Sequence, residues 1–168
     1  NTNKKKDTEK KTIRIDSIKD LNGYKKEYAK EKKFLEKKIK ELGIRNYKVS
    51  IARCYTFIGK NITRYNYAIS DLINDAHNMT RIKLNSKINV YRSYMHSDDL
   101  ANWLIKIVKN SNTKCPIYNV GSNKVINLKN LAKKIGLIAN KKISVKTNKS
   151  KKFDYYVPSI TKAYKKLN

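Results

Sequence analysis

Apolar residues recur at helical spacing in five stretches of this chain, and short alternating or continuous apolar runs lie between them. In residues 24–42, Tyr28, Leu35, Ile39 and Leu42 fall on one face, and Gly43 supplies a stop. Ile69, Leu72, Ile73 and Ala76 form the apolar stripe of a second helix over 67–78. Leu100, Trp103, Leu104, Ile107 and Val108 mark a third; Ser97 or Asp98 can cap its first N–H groups, and Asp99 suits the positive end of its dipole. Asn127 caps a fourth helix over 128–135 that Gly136 closes, and Pro158-Ser159 opens a fifth, running to Leu167. Val49 and Ile51 set the alternation of a strand over 47–54, and further strands are predicted at 82–84, 88–91, 117–120 and 143–145. Residues 59–63 read as a loop, and 117–120 ends in the turn Gly121-Ser122. Residues 1–22 are polar and lysine-rich, a flexible lead-in with one short extended piece at 12–15. The alternation of helix and strand over 23–168, with no internal repeat, predicts an α/β architecture.

Composition changes this picture less than its size suggests. The 168 residues amount to one domain, but the formal charge of +27 points to a polyanionic partner. That inference weakens on the split of the 40 basic residues, 34 Lys against 6 Arg, because phosphate and groove readers lean on the bidentate Arg fork. Lys, Asn and Ile together make 74 residues, the mark of a coding bias toward A and T spread over all solvated positions. The lysine clusters at 4–6, 37–40, 141–142 and 149–152 are scattered, not gathered in one stripe. A solvated surface is the simpler reading and makes nucleic acid an improbable partner, while a basic module that binds nucleic acid or an anionic surface stays open as an alternative. Cys54 and Cys115 have neither metal spacing nor a disulfide framework, and no signal peptide or run of 18 apolar residues is visible. The expectation is a reduced, cytoplasmic protein without a membrane span. The chain opens at Asn1 without Met, which suggests a processed, trimmed or partial chain.

Two places carry candidate chemistry. Tyr28 and Lys32 put a phenol and an ammonium on one helix face. The ammonium lowers the phenol pKa, so that a phenolate can take a proton from a hydroxyl while hydride leaves carbon. With 12 Tyr and about one residue in five a Lys, such pairs also arise by chance, and on these residues alone a plain solvated helix is the preferred reading. Arg92 ends a predicted strand, where its guanidinium could grip a diphosphate or pair with Asp98 or Asp99 across the strand–helix turn. His77 and His96 lack partners at metal spacing, and no metal site is predicted.

In order and spacing, several phrases resemble the extended short-chain dehydrogenase/reductase family, in its NAD-dependent nucleotide-sugar epimerase/dehydratase branch. They are Tyr28-x-x-x-Lys32, Ala52-Arg-Cys-Tyr-Thr-Phe-Ile-Gly59, Tyr67-Ala-Ile-Ser-Asp-Leu-Ile73, Arg92-Ser-Tyr94 with Asp98-Asp-Leu-Ala101, Tyr118-Asn-Val-Gly-Ser122, and Tyr156-Val-Pro-Ser-Ile-Thr-Lys162. The resemblance covers about 140 residues and implies the C-terminal part of a Rossmann-like fold with its small substrate-binding subdomain. It implies NAD as cofactor and a nucleoside-diphosphate sugar as substrate, oxidised at a sugar hydroxyl and then epimerised or dehydrated as a precursor of surface polysaccharide. Tyr28 would be the catalytic base, Lys32 its electrostatic partner and ribose anchor, and Cys54 and Tyr55 would line the cofactor. Thr56 and Arg92 would meet the substrate, Arg92 at its diphosphate.

The departures are as informative. The Gly-rich dinucleotide loop and the Ser/Thr that usually precedes the Tyr have no counterpart here, Lys60 stands where Pro is usual, and Asp71 would repel a diphosphate. The expectation is therefore a C-terminal half, inactive alone, completed by a separate N-terminal half or a homodimer partner, or else a degenerate remnant.

Overall fold

The computed structural model describes residues 23–60, 67–86, 88–145 and 153–167. The lead-in at 1–22, with its extended piece at 12–15, and most of the loop at 59–63 lie outside the described residues. Five helices are described: α1 (Tyr24–Ile44), α2 (Ala68–Asn78), α3 (Ser97–Lys109), α4 (Leu128–Ile138) and α5 (Thr161–Leu167). They alternate with β1 (Ile51–Cys54), β2 (Phe57–Ile58), β3 (Arg81–Leu84), β4 (Asn89–Arg92), β5 (Met95–His96), β6 (Ile117–Val120), β7 (Ile126–Asn127), β8 (Lys142–Val145) and β9 (Phe153–Tyr156).

Among the described residues, parallel pairing joins β1 to β6, β2 to β5 and β3 to β8, each from distant parts of the sequence. In a fourth sheet β4 lies between β7, antiparallel, and β9, parallel. Parallel strands need crossover connections, and the helices between them supply these, as expected of an α/β protein. Two apolar cores result. Met95, Leu100, Ile107, Tyr118, Val120, Ala163 and Leu167 form the first, with Trp103 and Leu104 packed against it. Leu72, Ile82, Leu84, Leu128 and Ala132 form the second, between α2, α4 and β3. The alternation in β3 is plain, Ile82 and Leu84 inward, Arg81 and Lys83 out.

Two glycines read as helix stops are instead points of close packing. Helix α1 runs through Gly43, where a Cβ would stand 2.5 Å from the Thr113 carbonyl oxygen. Helix α4 runs through buried Gly136, where a Cβ would meet the Ile143 side chain at 2.8 Å. The cap of α3 is also corrected: it is His96, whose Nδ1 accepts from the Asp98 N–H at 3.3 Å, while Ser97 is already helical. Asn127 caps α4 as expected, its side chain accepting from the Lys129 N–H at 2.9 Å. The strand expected over 47–54 narrows to Ile51–Cys54, with Val49 in an isolated bridge to Asn112. The last helix opens three residues after Pro158, at Thr161.

The apolar stripe expected on α1 is largely open: Tyr28 is 57% exposed and Leu35 50%. What anchors this helix to β1 is polar. Arg53 reaches Glu36 through Nε at 2.7 Å and Nη2 at 2.8 Å, a bidentate pair with both side chains largely buried.

Candidate substrate site

Arg92 is the last residue of β4, and pairing with β9 sets Arg92 against Tyr156 and Val90 against Asp154. Residues two apart share a face of a sheet, so Val90, Arg92, Asp154 and Tyr156 project from one side. Neither acid of the α3 turn takes the guanidinium, which is the correction to the pairing considered from sequence. Nη2 donates to the Asp154 carboxylate, and Nη1 donates to the carbonyls of Tyr91 at 2.9 Å and Asp154 at 3.3 Å. The guanidinium carbon also stands 6.0 Å from the centre of the Tyr156 ring. Tyr156 in turn stacks on Tyr55 at 4.8 Å between centroids, 28° from parallel.

Tyr55 is held from the other side. Its N–H donates to the Val120 carbonyl at 2.8 Å as the β1–β6 ladder ends, and its side chain packs where a Cβ on Gly121 would stand 3.0 Å away. The ring is buried and its hydroxyl has no hydrogen-bond partner, as is also true of the Ser93 hydroxyl beside Arg92. Thr56 is half-buried, and its carbonyl accepts from the Met95 N–H at 3.1 Å, which ties the loop after β1 to the segment after Arg92. A groove of about 490 Å³ opens nearby, lined by Ile58, Ile69, Tyr94, Ile126, Leu131 and Lys134 among others. Burial pushes the Tyr94 phenol up in pKa, and the Arg92 charge two residues away pulls it partly back.

Tyr28 and Lys32 stand apart from this arrangement. The Lys32 ammonium lies 5.5 Å from the centre of the Tyr28 ring, so the pair is real and open. No hydrogen bond, ion pair or ring contact among the described residues joins it to Arg92. Cys54 ends β1, and burial around its sulfur pushes the thiol up, so it stays neutral at physiological pH. Sequence reasoning missed Glu36, Arg53 and Asp154. Glu36 continues the spacing of Tyr28 and Lys32 by one further helical turn, a signal that was present; Asp154 lies 62 positions from Arg92 and gave none.

The parallel strands, crossover helices and segregated second core define a Rossmann-like α/β protein over part of its length. The chain belongs to the NAD dependent epimerase/dehydratase family, whose sequence pattern matches residues 6–121. Among solved structures it is similar to RMD from Pseudomonas aeruginosa complexed with NADPH (TM-score 0.70, 18% identity, 83% of this chain and 48% of that one). It is also similar to dTDP-glucose 4,6-dehydratase from Bacillus anthracis in complex with NAD (0.65, 16%, 87% and 46%). A third is UDP-N-acetylglucosamine 4-epimerase from Bacillus cereus (0.57, 21%, 69% and 40%). The chain thus spans less than half the length of each, and at these identities the likeness is one of fold. No curated protein sequence matches the chain. Among the described residues no helix is long and apolar enough to cross a membrane.

Proposed function

We propose that this chain supplies the substrate side of an NAD-dependent nucleotide-sugar epimerase/dehydratase, a cytoplasmic enzyme that makes precursors of surface polysaccharide. The observation that carries this reading is Arg92, paired with Tyr156 by strand register and two residues before Tyr94, which lines the groove. A guanidinium with an aromatic neighbour and a partly apolar groove suits a diphosphate joined to a nucleoside and a sugar. Family membership supports a reaction in which a sugar hydroxyl is oxidised and the product is then epimerised or dehydrated.

The residues present fit the nicotinamide-ribose end of the cofactor and not its pyrophosphate. Tyr28 and Lys32 offer an open phenol and ammonium, whereas the five glycines (Gly23, Gly43, Gly59, Gly121, Gly136) are too scattered for a phosphate-cradling loop. When bound, the nicotinamide supplies the hydride acceptor. Tyr28 takes the hydroxyl proton as base, and Lys32 beside it holds ribose hydroxyls. Cys54 and Tyr55 border the cofactor, and Thr56 and Arg92 hold the sugar nucleotide. None of the described residues forms a pyrophosphate cradle, so the segment described acts as part of a site.

The direct test is calorimetric titration with UDP, GDP and dTDP. At least one should bind at submillimolar affinity, and Arg92→Ala should weaken it tenfold or more. Binding of none, or binding indifferent to Arg92→Ala, rejects the reading.

A further inference from the structure

Resting on that reading of Arg92, we infer that Asp154 is a built-in competitor for it: a carboxylate that occupies the guanidinium in the free protein and yields to the anion of the ligand. In the free protein the Arg92 charge is already neutralised. Its Nη2 is ion-paired with Asp154, and its Nη1 is spent on two backbone carbonyls. A phosphate approaching this arginine meets a carboxylate on the same face of the sheet, set there by the register of Val90 with Asp154 and Arg92 with Tyr156. Two like unit charges a few Å apart near a surface repel strongly enough to change affinity about tenfold.

The two partners are not equally fixed. The Arg92 side chain is 19% exposed and lies against Tyr156, while that of Asp154 is 45% exposed. The β4–β9 ladder is made by backbone groups, so the Asp154 side chain can turn to solvent without breaking it. Release of Asp154 leaves the guanidinium where it is, over Tyr156 and the stacked Tyr55, ready for a phosphate in the same geometry. Asp154 is thus a residue that sets affinity and selects ligands: a more highly charged anion, such as a diphosphate, displaces a partner already within hydrogen-bonding distance more readily than a monophosphate does, and a neutral sugar does not displace it.

The test is calorimetry of the full chain with the same three diphosphates and with UMP, GMP and dTMP, comparing wild type with Asp154→Asn and Asp154→Ala, both checked for native circular dichroism. Both variants should bind the diphosphates roughly tenfold more tightly and should narrow the gap between diphosphate and monophosphate. Wild-type binding that neither variant strengthens overturns the inference and leaves the reading of Arg92 intact. Binding weakened by both variants overturns it too, and makes Asp154 a support that orients Arg92. If no form binds a diphosphate, both the inference and the reading of Arg92 fall. Binding seen only in the variants supports both.

Discussion

The two halves of the candidate site are built by opposite means. On α1, Tyr28 is 57% exposed with Lys32 over its ring, and a bidentate ion pair ties the helix to β1. Around Arg92, a sheet register, two backbone carbonyls, a carboxylate and the Tyr156 ring, itself stacked on Tyr55, all bear on one side chain. The first half is positioned by a long-range polar clamp and left open; the second is packed and internally satisfied before any ligand arrives. Under the proposed function, a reacting group that must approach a cofactor is served by an open face. A group that must recognise charge benefits from a rigid setting, because less ordering remains for the ligand to impose.

Substitutions can break this contrast in order of size. Ile82→Ala, at a fully buried position of the second core, should cost about 3 kcal/mol by denaturant unfolding, because the surrounding α2, β3 and α4 side chains cannot fill the space. Glu36→Gln leaves the largely buried Arg53 guanidinium without its carboxylate and should cost about 2 kcal/mol. The same change should raise hydrogen exchange along α1 while the protection of β4 and β9 stays as it was; equal loosening of both would show that the two halves are not separately held. Tyr28→Phe removes a hydroxyl from an exposed ring and should change stability by less than about 0.5 kcal/mol. A larger loss at Tyr28 would mean that the open face is covered by something that reads the phenol.

What the sequence disclosed follows the range of each interaction. Helices α2 to α4 and strand β6 were legible because period and cap lie within a few residues, as with Asn127. Strands β2, β5 and β7, two residues each, carry no period and exist only through distant partners, and β9 was missed for the same reason. Gly43 and Gly136 misled because a glycine that ends a helix and one that admits a neighbour look alike in one dimension; Thr113 and Ile143 supply the missing neighbours. At the site, the family phrases named Tyr28, Lys32 and Arg92, but nothing near Arg92 in sequence disclosed Asp154 as its partner.

Trp103, the one tryptophan of the chain, packs against the core of Met95, Tyr118 and Val120 and has no place in the core around Ile82. Its emission therefore reports on one half of the molecule. A fluorescence melt follows the β6, α3 and α5 side, where the stacked tyrosines also begin, and is silent about α2 and α4. Backbone circular dichroism sees both, so any gap between the two melting curves measures how far the cores unfold as one.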